Sequence, residues 1–473
     1  MKTRSSLYKL LIYVFLFLKV IDVSAQSNNN LPNIVFILVD DMGWRDVGYK
    51  GNKYVETPNI DKLSTQGMLF NYAYSNAPNC APTRAALISG KYGPRTGIYT
   101  VSNADRGESK NRKLIPVVNK TVLDASFYTL PEALKDRGYV TGMFGKWHLG
   151  DSVGTSPEGQ GFDVNVAGGE AGAPKTYFSP YHLPHLTDGK PGEELTERLT
   201  SEAIKFVDQY KNKPFFLYLP FYAVHVPLSS TPELIAKYKA KPTTEERFDP
   251  IYAAIVETVD TQVGRLLTHL EEQGLTKNTI VVFTSDNGGY FPVTTLTPLR
   301  GSKGSLYEGG IRVPLIIKWP GKIKEGSVSN EPVMSMDYYP TFLAITGAKV
   351  PANTILDGTN ILPVLTQTGK LKERNLYWHF PAYLEPNKGM KQMWRQTPGS
   401  AIRKGDFKLI ETFEDHKVEL YNLKDDESEK NNIAEKYPVK TKELLSDLQQ
   451  WRKDLNAFVP SQPNPEYQPQ NNQ

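Results

Sequence analysis

One cysteine, Cys80, is all that 473 residues contain. No disulfide can close within a single chain, and a lone thiol in an oxidising compartment is a liability unless it is buried or modified. Charge of one sign is missing too. The formal net charge is +4, but residues 1–25 hold +3 of it through Lys2, Arg4, Lys9 and Lys19 against Asp22, which leaves the remainder near +1. That balance excludes the broad basic face of a nucleic-acid binder, so any attraction for an anionic ligand must be local. Past the leader, no apolar run approaches the ~20 residues that a membrane-spanning helix needs. There is no internal repeat, and low complexity is confined to the polar tail from Ser461 to Gln473.

What is present starts with a leader. Residues 1–25 read as a signal peptide: Lys2, Arg4 and Lys9 form a basic start, Leu10 to Leu18 is apolar, and Val23-Ser24-Ala25 offers small residues for cleavage. The apolar run is short for a span, although an uncleaved anchor is the competing reading. No cysteine follows closely, which argues against a lipoprotein. The chain is therefore expected to be exported, periplasmic or secreted, with no stable membrane insertion once the leader is removed. A composition of 39% hydrophobic residues over this length supports one large core and a smaller appended one.

Asn33 to Val39 is a continuous apolar run, rich in β-branched residues, that ends in Asp40-Asp41. It reads as a strand buried on both faces, as in a parallel sheet. Phe215 to Leu219 and Thr279 to Phe283 have the same texture, and Val313 to Ile317 is a further candidate. Ile255, Val259, Val263, Leu266 and Leu270 recur at helical spacing within a helix expected from Pro250 to Gln273. Thr196 to Tyr210 and Leu130 to Arg137 are shorter helices. The alternation predicts an α/β fold: a large, mostly parallel central sheet sandwiched by helices over residues 26–350. From 351 to 473 the texture changes to a smaller α+β subdomain containing an antiparallel sheet. Its hairpin is Asp406 to Ile410 with Lys417 to Tyr421, followed by a charged helix from Val439 to Leu455.

In parallel folds, ligands bind at the carboxyl ends of strands. Asp40, Asp41, Asp286 and Asn287 stand at two such ends and supply hard oxygen donors, which suit Ca2+ or Mg2+ rather than zinc. Either pair alone reads equally as a turn. The densest signal is Asn79-Cys80-Ala81-Pro82-Thr83-Arg84, continued by Gly90-Lys-Tyr-Gly-Pro-Arg-Thr-Gly97. Further strings are Gly138-Tyr-Val-Thr-Gly-Met-Phe-Gly-Lys-Trp-His-Leu-Gly150 and Gly301-Ser-Lys-Gly-Ser-Leu-Tyr-Glu-Gly-Gly-Ile-Arg-Val-Pro314. Thr57 to Asp61 and Asp337 to Thr341 join them. In this order the strings resemble the formylglycine-dependent sulfatases, a family of the alkaline-phosphatase-like superfamily.

The resemblance implies that a formylglycine-generating enzyme oxidises Cys80 to formylglycine (3-oxoalanine). The aldehyde hydrates, one hydroxyl attacks the sulfur of a sulfate ester, and the other loses its proton to expel sulfate. Residue 80 would lie at the positive end of a helix from Ala81 to Ser89, with Pro82 in its first turn. The resemblance further implies Ca2+ (Mg2+ being the alternative) held by Asp40, Asp41, residue 80, Asp286 and Asn287, with Arg84 bracing the diol. Lys146 would bind a sulfate oxygen and His148 deprotonate the diol. His225 and Lys303 would protonate the leaving alkoxide.

Export and an aromatic loop, Tyr177 to Asp188, suggest a sulfated carbohydrate, either algal polysaccharide or host glycan. Tyr177, His182 and His185 in that loop, and His379 from the C-terminal subdomain, are candidate substrate contacts. The same loop reads equally as surface packed by its own rings. A phosphate or phosphonate ester hydrolase on the same scaffold is the second reading. Asp286-Asn287 in place of an Asp-His pair, with only seven histidines in the chain, argues against its two-zinc form. A non-catalytic binder of sulfated glycan is the third.

Overall fold

The computed structural model describes residues 31–242 and 248–469, and the expected leader, residues 1–25, lies outside them. Eight strands form the large sheet: β1 (Asn33–Val39), β2 (Met68–Phe70), β3 (Val140–Phe144), β4 (Val164–Val166), β5 (Phe215–Pro220), β6 (Thr279–Ser285), β7 (Leu315–Lys318) and β8 (Ser327–Ser329). Their spatial order is β4-β3-β5-β1-β6-β7-β2-β8. β1 pairs parallel with β5 on one side and with β6 on the other, so that Ile34 lies beside both Phe216 and Ile280.

Every pairing in this sheet is parallel except the two made by β7, which runs against β6 and β2. The reason lies in the connection. Residues 286–314 stay at the carboxyl edge without crossing back along a helix, so the next strand must enter from that edge. The strand expected from Val313 begins two residues later, at Leu315.

β1 explains the layering. Val35, Ile37 and Val39 point to one core, which includes the helices Leu195–Tyr210 and Pro250–Glu272. Ile34, Phe36 and Leu38 point to the other, with the helices Cys80–Ser89, Leu130–Asp136 and Tyr338–Thr346. Both faces are covered, which is why the strand reads as unbroken apolar sequence. In the long helix, Asp249 accepts the N–H groups of Ile251 and Tyr252, and Pro250 occupies the first turn. Its residues Ile255, Val259, Val263, Leu266 and Leu270 are all buried. At roughly 1.5–3 kcal/mol each, they stabilise its docking by on the order of 10 kcal/mol.

The smaller sheet runs β9 (Asn375–Phe380), β10 (Gly399–Lys404), β11 (Phe407–Thr412) and β12 (Val418–Asn422), antiparallel throughout. The expected hairpin is β11–β12, and β9 and β10 extend it. One face packs Ile402, Leu409 and Leu420 under Leu444 and Leu448 of the helix Pro438–Asp454. The other places Trp378, Ala401 and Ile410 against Tyr74, Ala86, Leu306 and Met334 of the larger part. Among the described residues, no helix is long and apolar enough to cross a membrane.

Candidate active site

Four parallel strands deliver chemistry at their carboxyl ends. β1 leads to Asp40 and Asp41, β6 to Asp286 and Asn287, β3 to Lys146 and His148, and β5 to His225. Cys80 opens the helix Cys80–Ser89, every residue of which is buried. The helix begins one residue earlier than expected, and Asn79 makes no side-chain cap bond to it. The first-turn N–H groups and the dipole therefore favour negative charge around residue 80.

Charges alternate around the thiol. Lys146 Nζ lies 2.6 Å from Asp40 Oδ2. Arg84 Nε donates to Asp286 Oδ2 at 2.9 Å, and Arg84 Nη1 donates to the Lys146 carbonyl at 2.6 Å. Lys303 Nζ lies 2.7 Å from Asp41 Oδ2, and Asn287 Nδ2 donates to Asp41 Oδ1 at 2.8 Å. His148 Nδ1 is 3.4 Å from Cys80 Sγ. His225 Nε2 is 3.6 Å from Asp41 Oδ2, while its Nδ1 is 2.7 Å from the Val226 carbonyl. A carbonyl only accepts, so Nδ1 carries the proton and Nε2 is left as the free ring nitrogen.

Local backbone features set these positions. Gly145 has φ +132°, and a β-carbon there would sit 2.0 Å from the Pro220 carbonyl oxygen. Only glycine lets the chain turn so that the Lys146 N–H reaches that same oxygen at 2.7 Å. A β-carbon on Gly288 would meet the Gly309 carbonyl oxygen at 1.9 Å. This close approach brings the 301–310 loop against the end of β6, with the Lys303 N–H donating to Gly289 at 2.9 Å.

The electrostatics follow from burial. Desolvation, reinforced by Asp286, pushes Asp40 up to about 8. Burial also acts on Asp41, but Lys303, His225 and Lys146 outweigh it and hold the carboxyl below the usual range. Burial pushes the Cys80 thiol up. Burial first and Lys303 next push His225 down to about 3, and burial with Lys146 holds His148 well below the usual imidazole range. Lys303, opposed by burial but favoured by Asp41, is raised. Both histidines are thus neutral at rest, and Lys303 carries the proton.

The donor set fits a hard cation. Ligand atoms of Asp40, Cys80 and Asp286 lie within 4.8 Å of one another. Asp40 Oδ1 and Asn287 Oδ1 are buried oxygens without a hydrogen-bond partner, and two buried carboxylates face each other. A divalent ion would satisfy both oxygens and neutralise the pair. Asp41 stands outside that triangle, in the hold of Lys303 and Asn287.

The cluster opens into a cavity of about 430 Å³ whose wall includes Asp41, Cys80, His148, His225 and Lys303. Tyr290, Arg106, Asn387 and Arg395 also line it, and sequence reasoning gave no sign of them. They occupy loops without periodicity or motif, so only the folded arrangement reveals them.

The substrate-contact expectations fare differently. Tyr177 is buried outside the cavity wall, and its hydroxyl donates to the Tyr222 and His225 carbonyls at 2.7 and 2.8 Å, so it braces the His225 loop. His182 and His185 are exposed and lie outside the cavity wall, 3.8 Å from Asp188 and Asp151 respectively. His379 is buried away from the cavity, its Nδ1 2.7 Å from Ser400 Oγ and its Nε2 2.9 Å from the Phe458 carbonyl. Its register opposite Ser400 on β10 puts the ring between the small sheet and the C-terminal segment. The aromatic neighbours Trp378 and Phe380 marked a core.

The sulfatase family profile matches residues 32–348, about two thirds of the chain. The chain belongs to the sulfatase family. This sulfatase also matches the profile of the N-sulphoglucosamine sulphohydrolase C-terminal region over residues 302–456. It is 37% identical over 489 aligned positions to a sulfatase of Formosa agariphila, covering 87% of this chain and 86% of that one. It is 33% identical to the N-acetylgalactosamine-6-sulfatase of Mus musculus, covering 77% of this chain and 72% of that one. Among solved structures, Ps i-CgsB in complex with k-i-k-neocarrahexaose superposes with a TM-score of 0.74 at 31% identity, covering 91% of this chain and 95% of that one. The sulfatase is a sulfuric ester hydrolase of the alkaline-phosphatase-like superfamily.

Proposed function

We propose that this sulfatase is exported and removes sulfate from a sulfated carbohydrate, using formylglycine made from Cys80 and one Ca2+. The observation that carries the reading is the ring of buried Lys146, Arg84, Asp40, Asp41 and Asp286, with half-buried Lys303, around residue 80 at a helix N-terminus. One relative is named for a sulfated amino sugar and another was solved with a neocarrahexaose, which supports a glycan substrate.

Formylglycine would supply a hydrated aldehyde as nucleophile, and the ion, held by Asp40, Asp286, Asn287 and residue 80 with Asp41 beside it, would supply positive charge to the sulfate oxygens. The chain's own residues do the remainder. Lys146 and Lys303 offer ammonium groups to the sulfate, and the first turn of the Cys80–Ser89 helix adds its N–H groups. Neutral His148, 3.4 Å from Cys80 Sγ, is poised to accept a proton from residue 80. Lys303 carries a proton at rest and is the donor for the leaving oxygen. His225 lines the same cavity with Nε2 as its free ring nitrogen, and can relay that proton. Arg84 fixes Asp286 and the Lys146 backbone, so the cluster is preorganised.

The test is inorganic sulfate release, by ion chromatography, from protein co-expressed with a formylglycine-generating enzyme. Sulfated algal and animal oligosaccharides form the panel, with Cys80→Ala as the control. Release from one glycan that vanishes in Cys80→Ala, with an unchanged melting temperature, is the expected outcome. Full activity in Cys80→Ala sinks the formylglycine mechanism, and cell fractionation checks export.

A further inference from the structure

The mouth of the cavity carries positive charge beyond what one sulfate needs. Arg106 and Arg395 share its wall with Lys303, and its one acidic residue, Asp41, is already engaged by Lys303 and Asn287. The two arginines come from loops nearly 300 residues apart, and those loops are knitted together. The Tyr383 N–H donates to the Ala104 carbonyl at 2.9 Å. The Trp394 ring lies over Gly107, where a β-carbon would come within 2.7 Å of it. Buried Arg112 donates from Nη1 to the carbonyls of Asp105, Arg106 and Gly107, at 2.6, 3.1 and 2.7 Å. One guanidinium bonded to three successive carbonyls fixes the loop from which Arg106 projects.

Arg395 is held as firmly. It packs on Gly304, the neighbour of Lys303, where a β-carbon would stand 2.9 Å from its Nε. Its Nη1 donates to Asn387 Oδ1 at 2.8 Å. Arg395 Nε and Asn387 Nδ2 are buried donors without an acceptor, and Asn387 is only 9% exposed. Among the described residues, neither arginine has a carboxylate at ion-pair distance; Arg106 Nη2 bonds only the Val101 carbonyl, at 3.1 Å. Burial, and then the charge of Arg106, push the Arg395 guanidinium below its usual range. Unpaired like charges and idle donors converging on one cavity wall are a costly arrangement that an incoming anion relieves.

We infer that Arg395, Arg106 and Asn387 form a second anion-binding position beside the sulfate site, so that the preferred substrate carries a further acidic group close to the scissile sulfate. A planar guanidinium fork accepts either a sulfate or a carboxylate. This inference rests on the carbohydrate reading above and narrows it to multiply acidic glycans.

The test uses saccharide pairs that differ by one acidic group. Glucosamine 6-sulfate is paired with its 2-N,6-O-disulfate, and galactosamine 6-sulfate both with its 4,6-disulfate and with the disaccharide that adds a hexuronic acid. Sulfate release is followed for wild type, Arg395→Gln and Arg106→Gln, with melting temperatures to establish folding. The ratio of kcat/KM, doubly over singly acidic, should be about 10–100 for at least one pair and fall towards one in Arg395→Gln, mainly through KM. The disulfate and uronate pairs separate the two kinds of anion. A wild-type ratio near one for every pair, or a ratio unmoved in both variants, overturns the inference. If wild type releases no sulfate from any compound, the carbohydrate reading fails. Calorimetric binding of the same pairs to Cys80→Ala then decides: preference lost on adding Arg395→Gln sustains the position, and equal binding overturns it.

Discussion

Lys408 on β11 has no solvent exposure, and its ammonium lies 3.0 Å from Glu308 Oε1 and 2.8 Å from Glu429 Oε1. Glu308 also accepts from the Tyr74 hydroxyl at 2.8 Å, and the Glu308 N–H donates to Glu429 Oε2 at 2.6 Å. This buried cluster ties the loop that carries Lys303 to the small sheet. Lys408→Met removes the ammonium that bridges the two buried carboxylates. Breaking a buried pair by deleting one partner costs about 3–5 kcal/mol. An unfolding entropy of ~2.1 cal/mol/K per residue over some 440 residues gives ~0.9 kcal/mol/K, so the melting temperature should fall by about 3–5 °C.

The pH dependence sharpens the test. Burial already pushes Glu429 up to about 7, above its ordinary 4.5, so the native state holds more protons than the unfolded chain between those values. Stability from this group therefore falls as pH rises through that window. Without Lys408 the retained proton is needed up to higher pH, so the deficit should be larger at pH 8 than at pH 5.5. Adding Glu429→Gln removes one of the two stranded carboxylates and should recover part of it. Scanning fluorimetry at the two pH values measures all three proteins. A shift below 1 °C at both, or a larger loss at pH 5.5, would refute the reasoning.

Chelation should abolish sulfate release and lower the melting temperature, because the buried oxygens Asp40 Oδ1 and Asn287 Oδ1 are then left without a partner; an ion at ~100 times its Kd contributes about 2.7 kcal/mol, or ~3 °C here. Re-addition of Ca2+ should restore both, and no change in either counts against the metal site. Burial pushes His379 down to about 3 from 6.5, so the unfolded state binds its proton first and stability is lost as pH falls below 6.5. By pH 5 the loss is about 2 kcal/mol, and His379→Gln should flatten that slope in thermal melts between pH 5 and 7.

The central strands were legible because β1, β5 and β6 are covered on both faces and so remain apolar along their whole length. The direction of β7 was not, since it depends on where residues 286–314 travel. β10, Gly-Ser-Ala-Ile-Arg-Lys, escaped notice because its two polar ends hide a core of two residues, Ala401 and Ile402, that face opposite clusters. Site residues adjoining a strand end or a helix start lie in contiguous strings, so Asp40, Cys80, Lys146 and Lys303 could be singled out. Arg106 and Arg395 could not, because what brings them together is a pairing of two irregular loops. His379 misled for a related reason: rings beside a histidine mark buried packing as readily as a sugar platform.

The complete burial of the Cys80–Ser89 helix has a consequence in time. Once the sheet and helices close over it, Cys80 is left almost wholly buried at the wall of the cavity, and the Pro82-Thr83-Arg84 stretch that follows is locked in a helical turn. Any catalyst that must grip this stretch and oxidise its thiol has to meet the chain while it is still open. On the proposed formylglycine reading, maturation and collapse then compete: a chain that folds first buries its precursor thiol, and its unconverted copies share the fold but lack the proposed nucleophile.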